Sequence, residues 1–325
     1  MKNVKGGNVL SKKRIPVILD GDPGHDDAIA WVLAFASDML DIKAVTSVSG
    51  NVNIDQTTKN TLEVLTLLGV KDVPIARGCT KPLIGPFFDA PSVHGESGLD
   101  GPVMPESKLE LCGLHGVDLM IKVLEESEEP VTLVPTGPLT NVALLLITRP
   151  DLKDKIERIS LMGGGLLHGN WTYAAEFNIL VDPEAAKFVF ESGIPIIMAG
   201  LDVTEKSYIT SEDIDKIRAV SNEVAVIVAD WIDFFYKFHR DIGYLGAPVH
   251  DPVAIVALIN PDILEMRELY VEIETEGEFL RGATLGDYSS LSGKAPNVTA
   301  ITNIDREAYV DMIVEATKKY SEVTM

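Results

Sequence analysis

The stretch VILDGDPGHDD, residues 17–27, sets Asp20, Asp22, Asp26 and Asp27 within eight residues, directly after an apolar run. Two carboxylates about 4 Å apart repel by roughly 4 kcal/mol at an effective dielectric of about 20. Acids crowded at the end of a buried strand therefore either stay partly protonated or hold a cation. Gly21 and Gly24 allow a sharp turn that can aim neighbouring carboxylates inward. An all-oxygen set with no cysteine and little histidine favours calcium or magnesium over zinc. The competing explanation is structural: Asp26 and Asp27 start the helix AIAWVLAFA, where acids suit the positive end of the dipole. That accounts for two of the four and leaves Asp20 and Asp22 over.

Familiar metal and phosphate patterns can be tested against the same residues. An EF-hand needs ligands at its fifth and twelfth positions and glycine at its sixth. Counting from Asp20, those places hold Gly24, Trp31 and His25. Neither a P-loop nor GxGxxG occurs, so nothing supports a phosphate cradle. Asp20-Gly-Asp22 resembles the opening of haloacid-dehalogenase-like magnesium phosphatases, with Asp20 as nucleophile. Gly24, however, stands where that family expects Thr or Val. Asp251-Pro252 and Asp182-Pro183 each read as a helix N-cap followed by proline at the first helical position.

The elements that must position these residues come from hydrophobic patterning. Short β-branched runs at 15–20, 42–48, 131–135, 158–162 and 194–200 read as strands. Helix-capable segments such as 53–68, 138–147 and 183–192 follow them. Continuous apolar strands alternating with helices indicate an α/β fold: a single open, mostly parallel twisted sheet with helices on both faces. The segment 268–277 alternates like an edge strand or hairpin, and 77–110 reads as a long polar insertion. Residues 1–13 read as a loose leader and 14–325 as one domain. In open parallel sheets the ligand site lies outside the carboxyl ends of the strands. Asp20 to Asp27, Asn51, Thr136 and the glycines 163–165 fall there.

With these motifs placed, the chain resembles the inosine-uridine-preferring nucleoside hydrolases. DGDPGHDD matches their Asp-x-Asp-Pro-Gly-x-Asp-Asp signature. SVSGN (47–51), VHGESGLDGP (93–102), VPTGPLTN (134–141), LMGGG (161–165), EFNILVDPEAA (176–186) and PVHDP (248–252) follow in family order. The resemblance implies a Rossmann-like fold and cleavage of the N-glycosidic bond of ribonucleosides to ribose and free base, by a water held on calcium. It implies that Asp22, Asp27, Thr136 (through its carbonyl) and Asp251 hold the ion, and that Asp22 takes the proton of the water. It further implies that Asp26, Asn51, Glu176 and Asn178 hold ribose hydroxyls, with Met162 and Asn170 nearby. His250 is the implied acid toward the leaving base, His94 lies beside the base, and Phe177 packs on the nucleoside. Base preference reads as pyrimidine-leaning or broad. A catalytically silent nucleoside-binding relative is the alternative outside enzymes.

Composition bounds the partners. The balance of 28 basic against 49 acidic residues, net −21, suits neither phosphate backbones nor anionic membranes. The longest apolar run, AIAWVLAFA, is far short of a membrane span. With no secretory h-region, and with Cys79 and Cys112 far apart, two ordinary thiols in a reducing cytoplasm are expected. The resemblance adds a homodimer or homotetramer.

Overall fold

The computed structural model describes residues 13–90, 95–241 and 243–321, without the side chain of Phe238. Nearly all of the expected leader (residues 1–12) and His94 lie outside the described residues. The first half of the chain builds β1 (Ile15–Gly21), α1 (His25–Ala36), β2 (Leu40–Ser47), α2 (Ile54–Leu67) and β3 (Ile75–Arg77). After the polar segment come α3 (Gly116–Glu126), β4 (Val131–Pro135), α4 (Thr140–Thr148), β5 (Ile156–Met162), α5 (Phe177–Val181) and α6 (Pro183–Phe190). The next elements are β6 (Ile196–Ala199), α7 (Leu201–Thr204), β7 (Tyr208–Ile209), α8 (Ser211–Arg218) and α9 (Glu223–Asp241). The chain ends with β8 (Ala247–Pro248), α10 (Pro252–Ile259), β9 (Leu264–Leu269), β10 (Val271–Ile273), β11 (Thr284–Gly286), β12 (Val298–Ile304) and α11 (Arg306–Lys318).

Among the described residues the main sheet has eight strands in the order β3-β2-β1-β4-β5-β6-β12-β9. Its pairings are parallel except that between β12 and β9. The open, mostly parallel sheet expected from the patterning is the one observed. Side chains of β1 alternate between two cores, as the period of two requires. Val17 and Leu19 pack with Trp31, Trp231 and Tyr309 on one face, while Ile18 joins Leu133, Leu145 and Phe190 on the other. A strand buried on both faces must be apolar throughout, which is why β1 and β4 read so plainly.

The segment 268–277 proves to be two things. Residues up to Leu269 pair antiparallel with β12 as an edge strand, whereas β10 leaves the sheet for a hairpin with β11. Glu265, Arg267 and Glu268 lie exposed on that edge, which discourages further strand pairing.

This topology fixes where a ligand can sit. The chain runs from β1 outward to β2 and β3, then returns to β4 on the other flank of β1. The crevice where strand order reverses opens at the carboxyl ends of β1 and β4. Those ends carry Asp20 to Asp22 and Pro135-Thr136.

Candidate active site

Asp20 lies beneath the crevice, 1% exposed. Its Oδ1 accepts hydrogen bonds from Thr46 Oγ1 (2.6 Å) and Asn141 Nδ2 (2.7 Å), tying β1 to β2 and α4. Burial pushes its carboxyl up to about 7. Asp20 is not part of the cavity lining, so a phosphatase nucleophile at this position has no access to substrate.

Asp22 follows where the strand turns. The Asn51 backbone N–H donates to its Oδ2 at 2.6 Å, and Asn51 Nδ2 donates to its carbonyl at 3.2 Å. Its Oδ1 is buried and has no hydrogen-bond partner among the described residues. Two glycines make room for this carboxylate. A Cβ on Gly50 would fall against Asp22 Oδ2, and one on Gly137 against Oδ1. Burial, and then the charge of Asp27, hold the Asp22 pKa well above the usual range.

Asp26 and Asp27 open α1, as acids at a helix N-terminus should, but capping occupies only part of one of them. Asp27 Oδ2 accepts the Gly24 N–H (3.1 Å) and Asn51 Nδ2 (3.4 Å); its Oδ1 accepts Thr136 Oγ1 at 2.6 Å. Asp26 Oδ1 is buried without a partner among the described residues, and burial together with Asp27 raises its pKa to about 7. The expected N-cap bond of Asp251 is not formed. Its backbone is already helical (φ −66°, ψ −35°), so the side chain turns away from the helix amides. The Asp251 carboxyl instead lies with those of Asp26 and Asp27, ligand oxygens within 4.8 Å of one another. Burial and then the charges of Asp26, Asp27 and Asp22 drive Asp251 well above the carboxylate range.

These observations fit a divalent cation. Oxygen atoms of Asp26, Asp27 and Asp251 all lie within 4.8 Å of one another. Asp22 is not in that trio but stands against it, offering its unpartnered Oδ1. The Thr136 carbonyl accepts Asn178 Nδ2 at 2.8 Å and keeps one lone pair. No lysine or arginine lines the described cavity, so the protein supplies no positive counter-charge of its own there. A Gly137→Ala substitution tests the fit: the methyl displaces the Asp22 carboxylate and should cut divalent-cation affinity by about 10- to 100-fold, measured by titration calorimetry on folded protein.

Above the acids lies a cavity of about 610 Å³, a size suited to a small molecule. Asp26, Asn51, Met162, Asn170, Phe177 and Asn178 from the expected set contribute to its lining, as do Thr136, Glu176, His250 and Asp251. Asp22 and Asp27 sit below the lining. Glu176 caps α5, accepting the N–H groups of Asn178 (2.9 Å) and Ile179 (3.1 Å), and also takes Gly164 N (2.9 Å). Three bonds leave a carboxylate room for a fourth. Asn170 Oδ1 accepts Phe177 N at 3.0 Å, and Asn178 Nδ2 also contacts Met162 O at 3.3 Å. Phe177 packs edge-on against Trp171 (centroids 4.9 Å) and Phe88 (6.0 Å). His250 keeps some surface on the cavity; burial pushes its pKa down to about 3, so the ring is neutral.

Comparison with known proteins settles the family. Residues 17–311 match the profile described as inosine-uridine preferring nucleoside hydrolase. The pyrimidine-specific ribonucleoside hydrolase RihA of Escherichia coli is 52% identical over 94% of this chain and 99% of its own length. A purine-preferring ribonucleoside hydrolase from Gardnerella vaginalis superposes with a TM-score of 0.87 at 30% identity, covering 93% of this chain and 98% of that one. A plant nucleoside hydrolase gives 0.87 at 30% identity, over 94% and 99%. The chain belongs to the inosine-uridine preferring nucleoside hydrolase family. Nucleoside hydrolases are metal-dependent, in keeping with the acid cluster.

As a nucleoside hydrolase it also lines its cavity with residues that sequence reasoning missed. Trp171, Glu205, Tyr244 and His168 all reach it, with Tyr244 Oη donating to Glu205 Oε1 at 3.0 Å and His168 Nε2 3.3 Å from Glu205 Oε2. His239 lines it too. These residues come from irregular segments and helix ends, where no periodicity marks them. His25, amid the acids, serves structure: its Nε2 lies 2.8 Å from Asp100 O and its ring stacks on Phe234 at 5.2 Å.

Proposed function

We propose that the protein is a calcium-dependent ribonucleoside hydrolase that prefers pyrimidine nucleosides and releases ribose and free base. The observation that carries the reading is the placement of buried, mutually repelling carboxylates at the floor of a cavity walled by hydrogen-bonding and aromatic side chains. The pyrimidine preference rests on the 52% identity to a relative named as pyrimidine-specific.

In this reading Asp22, Asp27, Asp251 and the Thr136 carbonyl hold calcium, with Asp26 within reach of both ion and sugar. Bound there, calcium would lower the pKa of a water and fix its approach to the anomeric carbon. Asp22 Oδ1, which has no hydrogen-bond partner among the described residues, takes the proton of the attacking water. Asp26, Asn51, Glu176 and Asn178 receive the ribose hydroxyls, with Met162, Asn170 and Phe177 against the nucleoside and His94 proposed beside the base. Departure of the base leaves positive charge on the ribose ring, as in glycosidases, and the surrounding carboxylates stabilise it. His250 faces the leaving base. We also propose that residues 14–325 act as one unit, in the cytoplasm, as a homodimer or homotetramer, with small nucleosides rather than nucleic acid or membrane as partners. The net charge of −21 supports that choice. Among the described residues no helix is long and apolar enough to cross a membrane.

The test is kcat/KM across uridine, cytidine, inosine, adenosine and their 2′-deoxy forms in saturating calcium. Uridine and cytidine should exceed inosine by at least about tenfold, the scale of a modest pocket difference. Each deoxy form should fall by about 10⁴-fold, because a missing hydroxyl leaves buried polar groups unpaired. Absence of base release from every ribonucleoside would end the reading; equal rates on inosine and uridine would end the pyrimidine preference.

A further inference from the structure

Thr204 ends α7 with none of its surface exposed, and its Oγ1 lies 2.7 Å from His250 Nδ1. A buried hydroxyl carries one proton that needs an acceptor. Other threonines here give theirs to backbone carbonyls, Thr61 to Thr57 O at 2.8 Å and Thr66 to Leu62 O at 2.7 Å. For Thr204 Oγ1 the acceptor within hydrogen-bond distance, among the described residues, is His250 Nδ1. The accounting closes in one way. The hydroxyl donates, Nδ1 carries the lone pair, and the ring proton sits on Nε2, the nitrogen left for the cavity. A proton on Nδ1 would strand that of the hydroxyl.

The backbone holds this contact in register. Thr204 O accepts Ser207 Oγ at 2.7 Å, and Ser207 Oγ lies 2.9 Å from Val249 O. Tyr309 Oη donates to the same Val249 carbonyl at 2.7 Å. The turn after α7 is thereby clamped to the residue preceding His250. The clamp holds Thr204 beside His250, whose chain neighbour Asp251 belongs to the acid cluster.

We propose that Thr204 is a positioning residue: its hydroxyl locks His250 in the Nε2–H tautomer, so that the ring presents an N–H to the departing base. The inference rests on the ribonucleoside hydrolase reading for its consequence, but not for the tautomer. As the glycosidic bond breaks, its electron pair leaves with the base. The Nε2–H bond meets the negative charge building there, while the proton of the attacking water goes to Asp22.

Three variants and two readouts test it. In ¹⁵N-labelled protein, with His250→Gln to assign the resonance, His250 should show a protonated Nε2 and an unprotonated Nδ1. Thr204→Val should convert this to a mixture, and Thr204→Ser should restore it. On uridine, Thr204→Val should lower kcat by about 10- to 100-fold with KM little changed, and Thr204→Ser should recover most of the loss. Cleavage of p-nitrophenyl riboside, whose leaving group is stable as an anion, should stay near the parent rate. A protonated Nδ1 in the parent protein overturns the proposal, as does an equal loss on both substrates. If the parent cleaves no riboside at all, the hydrolase reading fails, and the nitrogen spectra still decide the tautomer.

Discussion

Replacing Asp22 by asparagine should reduce kcat on uridine by about 10³-fold or more while leaving the protein folded. General-base contributions run to about 10²–10⁴-fold, and Asp22 would lose a place at the ion as well. Asparagine keeps the shape of aspartate, and its carbonyl oxygen can still accept the Asn51 N–H that now reaches Oδ2. What disappears is Oδ1, a buried oxygen with no partner among the described residues, beside which Gly137 leaves room for nothing larger than hydrogen. An amide there can neither take a proton from water nor share in neutralising a cation. Stability should move the other way. Asp22 is forced well above the carboxylate range by burial and by Asp27, so removing its charge relieves repulsion. In chelator, the Asp22→Asn protein should therefore melt above the parent in differential scanning calorimetry, with activity and stability changing in opposite directions. Retention of kcat within about tenfold would remove Asp22 from proton transfer, since even the weak end of general-base catalysis exceeds that.

How far the site was legible in the sequence follows from which contacts are local. The strand ends were readable because β1 and β4 are buried on both faces and must be apolar, so the first polar residues after them mark the crevice. The acids of VILDGDPGHDD stood out because a helix start explains two carboxylates and not four. Asp251 and Asp182 show the limit. Both precede proline and both read as caps, and Asp182 is one, accepting Ala185 N at 3.1 Å along with Thr140 Oγ1 and Leu83 N. Asp251 is likewise followed by proline but has a helical backbone and makes no cap bond, and its carboxylate lies with those of Asp26 and Asp27. One pair of dihedral angles separates a capping aspartate from one whose carboxylate joins the acid cluster, and dipeptide chemistry does not encode it. The far wall was less readable still. Glu205, Trp171 and Tyr244 meet at the cavity, with Thr204 buried behind His250, only after the chain has crossed the sheet, and none belongs to a patterned run. The break between β9 and β10 was hidden because an alternating segment reads the same whether it continues one sheet or starts another.

Stripping the protein of divalent ions should abolish nucleoside hydrolysis and lower the melting temperature, and restoring calcium should reverse both. The sign of the pH dependence separates a structural ion from an adventitious one. Burial and neighbouring charge raise Asp26 from 3.8 to about 7, and Asp22, Asp27 and Asp251 move in the same direction. A carboxyl whose pKa is raised on folding binds more protons in the native than in the unfolded chain between the two values. Its stabilising contribution is complete below about pH 4 and is lost as pH rises through about 7. The chelated protein should therefore lose stability across that interval, as acids that must ionise find no counter-charge. A bound divalent cation would supply that charge, so stabilisation by added calcium should grow over the same window. At a free concentration of about 100 Kd the gain is about 2.7 kcal/mol, worth several degrees in a chain of this size. Calorimetric scans at pH 5 and pH 8, with calcium and with chelator, measure both differences. A calcium-induced shift that is larger at pH 5 than at pH 8, or a chelated protein as active as the loaded one, would mean that the four aspartates do not close around a cation. Their burial would then have to be sustained by protonation alone, the direction in which burial and mutual repulsion push all four.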